Sequence, residues 1–257
     1  MRKPLIVANW KMNHTVKEGL KFATRIQKDL PSEGQVEVVL CPPFTSLYSL
    51  SVALSERQSG SDRPGVGLGA QNCHWEDKGA CTGEISPVFL KELNCDYVIV
   101  GHSERRQLFH ETDEQICKKI TAVFAGEMTP IFCVGEMESQ REGNKTLEVI
   151  ENQLGKGLDG IFASSIPGLV VAYEPVWAIG TGKNATPDEA QEVHRAIRQW
   201  FKRHFTEEVS DGVRILYGGS VKPDNIAALM KKPDIDGVLV GGASLEVDSF
   251  AQIVNYA

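Results

Sequence analysis

Four residues able to do acid–base chemistry stand just past the ends of short apolar runs. Glu174 follows residues 169–173 and opens a segment that reads Glu-Pro-Val-Trp-Ala-Ile-Gly-Thr-Gly-Lys as far as Lys183. A carboxylate on a rigid strand end, joined to a Gly-containing loop that closes over it, is what a general base in a lidded site requires. A lone Glu after a strand is ordinarily a solvated connection. The whole segment, with the helix start Thr186-Pro187-Asp188-Glu189 behind it, points to chemistry instead. Asn9 and Lys11 follow residues 5–8 and stand two apart, so both face one way while Trp10 faces the other. Alone, Lys11 reads as a solvated surface lysine. His102 and Glu104 fall in Gly101-His102-Ser103-Glu104-Arg105-Arg106 after residues 97–100. A capped helix start with an incidental His explains that motif equally well. Gly218-Gly219-Ser220 and Gly241-Gly242-Ala243-Ser244 follow the last two runs. Paired glycines let backbone N–H groups approach an anion, and a helix opening after Gly242 would aim its positive end at it. This inventory suits proton transfer beside the carbonyl of a small phosphorylated molecule.

The elements that must position these residues repeat. Apolar, β-branched runs occur at 5–8, 36–40, 66–70, 97–100, 131–134, 169–173, 213–217 and 238–240. Their spacing of roughly 30 residues is that of a βαβ unit. Between them lie segments of helical spacing, such as Ala190, Val193, Ala196, Ile197 and Trp200 with a basic end at Lys202-Arg203-His204. Uninterrupted apolar strands are buried on both faces, which predicts a parallel sheet. An open doubly wound sheet would place Gly-x-Gly-x-x-Gly after the first strand, but Asn9-Trp10-Lys11 stands there. The one match, Gly155, Gly157 and Gly160, follows a helical stretch and reads as chance. The pattern predicts α/β architecture: a closed (β/α)8 TIM barrel, one domain over residues 1–257, with its site at the carboxyl ends of the strands. Residues 55–65 read as a loop insertion.

The totals narrow the function. The chain has 257 residues, 42% hydrophobic and 24% charged, with a formal net charge of −7. Without a basic face, nucleic acid is excluded as a partner. No apolar run reaches membrane-spanning length. Six cysteines include no Cys-x-x-Cys, so no zinc or redox site is signalled, and they predict buried thiols in a reducing, cytoplasmic setting. No metal or nucleotide motif appears, so no cofactor is expected.

The chain closely resembles the triosephosphate isomerases over essentially its whole length. The resemblance rests on Asn9-Trp10-Lys11-Met12-Asn13, Gly69-Ala70-Gln71-Asn72, residues 101–106, Cys133-Val134-Gly135-Glu136, residues 173–183, Tyr217-Gly218-Gly219-Ser220 and Gly241-Gly242-Ala243. It implies interconversion of glyceraldehyde 3-phosphate and dihydroxyacetone phosphate through an enediolate, a step of glycolysis and gluconeogenesis. By the same resemblance Glu174 is the base, His102 the electrophile and Lys11 the cation beside the enediolate. Asn9 helps to hold the substrate oxygen. Gly180, Ser220, Gly241 and Gly242 grip the phosphate, and Glu104 supports Lys11 and His102. The resemblance implies a lid over residues 178–182 and a neutral His102, disfavoured as imidazolium by the helix that it opens. It further implies a homodimer in which the loop from Gln71 to Ser86 reaches into the partner's site, with Thr82 at the reaching position and Cys73 and Trp75 in the interface. Ala8 and His14 stand where many members carry glycine. Two other readings remain at this point: a Schiff-base aldolase acting through Lys11, and a non-catalytic sugar-phosphate-binding protein.

Overall fold

Each of the eight apolar runs forms a strand: β1 Leu5–Asn9, β2 Glu37–Cys41, β3 Gly67–Ala70, β4 Tyr97–Val100, β5 Thr129–Val134, β6 Val170–Tyr173, β7 Arg214–Tyr217 and β8 Gly237–Val240. In the computed structural model they pair in parallel and in chain order, and β8 returns to β1 to close the barrel. The closing register sets Leu5 against Gly237 and Ala8 against Val240. The structure describes residues 2–31, 35–58, 65–179 and 185–256, with only the backbone of 56–58.

Alternation along each strand makes two cores. Leu5, Val7, Val39, Cys41, Ile99, Ile131, Cys133, Val170, Ala172, Leu216 and Leu239 fill the barrel. Their neighbours, among them Ile6, Val38, Phe132, Val171, Ile215 and Val238, face outward against the helices. Trp10 belongs to the outer core, with its ring edge-on to His14 and Phe22. Space inside is tight. A Cβ at Gly69 would lie 2.6 Å from Cys41 Sγ, so the barrel wall closes there only over glycine.

Helices form where caps and apolar stripes agree. Pro187–His204 starts on a reciprocal capping box between Thr186 and Glu189, with Pro187 in its first turn, and ends on Lys202, Arg203 and His204. It buries Ala190, Val193, Ile197, Trp200 and Phe201, and also His194, which the expected stripe omitted in favour of the half-buried Ala196. Gly155 and Gly157 lie in the helix Thr146–Gly157 rather than in a nucleotide turn. Gly157 lets that helix touch β5, because a Cβ there would meet the Phe132 ring at 2.3 Å. One expectation is corrected. The helix Phe44–Gln58 runs well into the stretch read as a loop from residue 55. Residues 59–64 of that stretch lie outside the described set.

Candidate functional site

The inward-facing parity of the strands continues past their ends. Leu5 and Val7 lead to Asn9, Val170 and Ala172 to Glu174, Leu216 to Gly218, and Leu239 to Gly241. The alternation that fills the barrel therefore also delivers these residues to its carboxyl-end mouth. Glu174 fits there because glycine surrounds it. A Cβ at Gly135 would fall 1.8 Å from the Glu174 carbonyl oxygen, and one at Gly218 2.9 Å from Glu174 Cγ.

Lys11 is held in a left-handed conformation, φ 51°. Such a backbone costs a non-glycine residue on the order of 1–3 kcal/mol and persists only where neighbours fix it. Two do so here. Asn9 Oδ1 accepts the Lys11 N–H at 3.1 Å, and Gln71 Nε2 donates to the Lys11 carbonyl at 2.8 Å and to that of Cys41 at 2.9 Å. The ammonium then meets Glu104 Oε1 at 2.6 Å. His14, at φ 65°, shows why glycine would also suit that position.

His102 breaks the parity, and Gly101 is the cause. Gly101 turns the chain at φ 70°, where a Cβ would strike Ile116 Cδ1 at 2.7 Å. The turn brings His102 inward as the cap of the short helix Ser103–Leu108. Its Nδ1 accepts the Glu104 N–H at 3.2 Å. A backbone N–H can only donate, so the single ring proton of the neutral form sits on Nε2. Nε2 lies 2.9 Å from Glu174 Oε1.

Glu174 is 2% exposed. Its Oε2 accepts the Ser103 N–H at 2.8 Å. Oε1, although close to His102, has no aligned hydrogen-bond donor among the described residues. Burial pushes the carboxyl up, but His102, the Ser103 N–H and Lys11 outweigh it and hold Glu174 below the usual carboxylate range. For His102 burial acts downward, and the Glu174 carboxylate more than offsets it, so the ring is drawn up. The helix end was expected to dominate; the adjacent carboxylate does. A second proton would have to enter Nδ1 against the Glu104 N–H, so moving Glu174 away returns the ring to its neutral form.

A cavity of about 300 Å³ gathers these groups. Asn9, Lys11, His102 and Glu174 line it together with Ser220, Gly241 and Gly242. Ile179 of the expected lid also lines it, as do Val221 and Lys222, which had not been singled out from the sequence. Gly241 packs on the lysine stem, since a Cβ there would lie 3.4 Å from Lys11 Cε. The chain after Gly242 makes a single 3-10 turn, Gly242–Ser244, and the α-helix begins only at Val247. This corrects the expected helix directly behind the glycines: Ser244 Oγ turns back onto the carbonyls of Val240 and Gly241 and tightens the turn. Gly180 lies outside the described residues, as do residues 181–184, so the lid is described only as far as Ile179.

The start of that segment is anchored by a residue whose role the sequence did not reveal. Glu136 is fully buried and accepts from Tyr173 Oη at 3.1 Å and Trp177 Nε1 at 2.9 Å, while its carbonyl accepts the Val176 N–H at 3.1 Å. Arg141 covers the outer face of Trp177 at 4.4 Å. Further away, Thr82 stands exposed in the loop from Gln71 to Ser86 and does not line the cavity of its own chain. Trp75 is half-buried. Cys73 is 1% exposed within the single chain, so the expectation of an interface cysteine is corrected: it packs inside, where burial pushes its thiol up to about 12.

Fold and site together define a barrel enzyme of acid–base type, with its chemistry at the carboxyl ends of the strands. The chain matches the family model described as triosephosphate isomerase over residues 4–257. It is 52% identical to the triosephosphate isomerase of Endomicrobium trichonymphae over 257 residues, all of both chains. It is 51% identical to that of Alkaliphilus metalliredigens over 256 residues, again 100% of each chain. To that of Carboxydothermus hydrogenoformans it is 52% identical over 254 residues, covering 99% of this chain and 98% of the other. The chain belongs to the triosephosphate isomerase family, and with it to the aldose–ketose isomerases.

Proposed function

We propose that the cavity interconverts glyceraldehyde 3-phosphate and dihydroxyacetone phosphate with Glu174 as the only base. The backbone N–H groups around Ser220, Gly241 and Gly242 take the phosphate. Glu174 leaves the Ser103 N–H, removes the proton from the carbon beside the carbonyl, and returns it to the neighbouring carbon. Between the two transfers the electron pair resides in an enediolate, to which His102 donates from Nε2. Lys11 supplies positive charge to that intermediate, and the side-chain amide of Asn9 orients the substrate oxygen. The carrying observation is the pair Glu174 and His102, both buried, 2.9 Å apart, on the wall of one small cavity. A neutral imidazole suits this role because it is a weak acid, closer to the enediolate that shares its proton. A neutral histidine beside a lidded carboxylate base is the pattern already established for the triosephosphate isomerase family itself.

The ion pair between Lys11 and Glu104 weighs against an aldolase, since a paired ammonium is not a nucleophile until it loses its proton. The decisive experiment measures turnover of glyceraldehyde 3-phosphate with nothing else added, beside Glu174→Gln and beside a borohydride trap. Turnover that the variant loses, with no covalent adduct on Lys11, is expected. An adduct, or turnover that survives in Glu174→Gln, overturns the assignment.

We extend the reading to a homodimer in the cytoplasm. Phe44, Tyr48 and Val52 repeat every four residues along one helix and are all exposed, and Met12 is 94% exposed beside the site lysine. Such an apolar stripe fits a partner surface, and the exposed Thr82 loop fits a reach across it. All six cysteines are free, as a reducing compartment allows. Sedimentation at micromolar concentration tests the dimer; a monomer there refutes it.

A further inference from the structure

We propose that Lys222 is the steering residue for the dianionic substrate, drawing the phosphate into the cavity without taking part in the chemistry. The inference rests on the isomerase reading and adds a residue to it. A phosphate monoester carries about −1.5 to −2 charge at neutral pH, and the chain that must attract it has a net charge of −7. Local charge at the mouth therefore decides the encounter. Among the described residues two ammonium groups line the cavity, those of Lys11 and Lys222. Lys11 is already matched by Glu104 at 2.6 Å, which leaves only the buried Glu174 carboxylate and the Lys222 ammonium as charged side chains of the described lining. Lys222 is exposed and forms no ion pair among the described residues. It is the cavity's one uncommitted cation among those residues.

Its backbone is fixed where such a cation is useful. Lys222 directly follows the turn Ser220-Val221 that faces the proposed phosphate position. The Asn225 side chain clamps this turn from both ends. Its Oδ1 accepts the Lys222 N–H at 2.9 Å, and its Nδ2 donates to the Ser220 carbonyl at 3.0 Å. The Asn225 and Ile226 N–H groups both return to the Lys222 carbonyl at 3.2 Å. A backbone fixed by these hydrogen bonds thus carries an exposed lysine on the cavity lining. That arrangement favours long-range attraction over a fixed contact, because a hydrated charge acts through solvent at distances where an ion-paired one is cancelled.

The test is a salt series on Lys222→Gln, Lys222→Glu and Lys222→Arg, reading kcat and kcat/KM separately. Ionic strength should run from about 10 mM, where the Debye length is ~30 Å, to about 1 M, where it is ~3 Å. At low salt Lys222→Gln should lose roughly three- to tenfold in kcat/KM, part of the ~10–10³ that a whole steering field supplies. Lys222→Glu should lose more, and Lys222→Arg should match the parent. The loss should fall on kcat/KM rather than kcat, and all curves should converge at high salt. A deficit that persists at high salt, or one that appears in kcat, overturns steering in favour of direct contact; equal values at low salt overturn it outright. Calorimetric titration with inorganic phosphate separates this proposal from the reaction itself. Weaker, salt-sensitive phosphate binding in Lys222→Gln would support steering even if the parent failed to isomerise the triose, whereas unaltered phosphate binding beside normal turnover would refute steering alone.

Discussion

The two ends of the barrel use the same residue types to opposite effect. At the amino end Glu37, Tyr97 and Arg214 close the interior: Tyr97 donates to Glu37, and Arg214 donates to Glu37 at 2.6 Å and to Tyr97 Oη at 2.8 Å. Beside them Asp236 receives Arg2, Arg198 and the Ile215 N–H, so both carboxylate oxygens are filled. At the carboxyl end Glu174 keeps one oxygen without an aligned donor among the described residues, and Lys11 stands in a strained backbone. Buried charge is tolerable where every lone pair has a partner and costly where one does not. The filled end holds the fold; on the proposed function, the unfilled end keeps a reactive group poised at a cost in stability.

One chemical change made at both ends tests this contrast most sharply. Glu174→Gln should lower kcat by at least ~10²–10⁴-fold, the usual contribution of general acid–base catalysis. Thermal melts should show that it changes stability far less than the same exchange at the other end. Asp236→Asn should do the reverse. It leaves Arg2 and Arg198 facing an amide donor and should cost ~3–5 kcal/mol in urea unfolding, as breaking a buried pair does, with near-parent kcat in the folded fraction. Equal stability losses in the two variants would end the comparison.

Two buried histidines carry the contrast into pH. His102 is drawn up by a carboxylate, whereas burial depresses His194, between Tyr173 and Tyr217, to about 3. Below the ordinary histidine value near 6.5 the unfolded chain takes up a proton at His194 that the folded chain refuses. Stability from this residue is therefore complete above that value. It declines by about 1.4 kcal/mol per pH unit as pH falls toward 3. Unfolding free energies from urea titrations at pH 7 and pH 5 should differ by ~2 kcal/mol more in the parent than in His194→Gln. A parallel pH dependence in the two proteins would remove His194 from the account. The smallest effect is expected at Gln71. Gln71→Ala frees the Lys11 carbonyl and should cost about 1 kcal/mol while raising KM through a less constrained lysine. An unchanged KM would mean that Asn9 alone holds Lys11.

Much of this was legible in the sequence because periodicity is a local signal. Every strand lies within a residue or two of its apolar run, and Glu174, Asn9 and Gly241 follow from continuing the alternation. Pro187–His204 could be read from its capping box. What stayed hidden was contact across long separations. Gln71 reaches Lys11 over sixty residues, and Glu136 reaches Trp177 over forty-one, with no spacing rule to announce either. His102 faces the cavity only because Gly101 adopts a positive φ, which a motif cannot distinguish from a plain helix cap. Cys73 was misplaced for a similar reason, since a polar loop gave no sign that one of its residues turns inward.

The seam between β1 and β8 also sets a clock. Lys11 is placed early in the chain, yet its stem packs beside Gly241, near the other end. At ~5–20 residues per second, the first strand leaves the ribosome roughly 10–50 s before β8, which covers the edge that β2 leaves free. Throughout that interval its edge is open to other chains, and the site cannot yet exist. Any product of interrupted synthesis that ends before residue 237 is therefore inert and carries two unpaired strand edges. The burden of protecting the nascent protein falls on whatever shields β1 during synthesis.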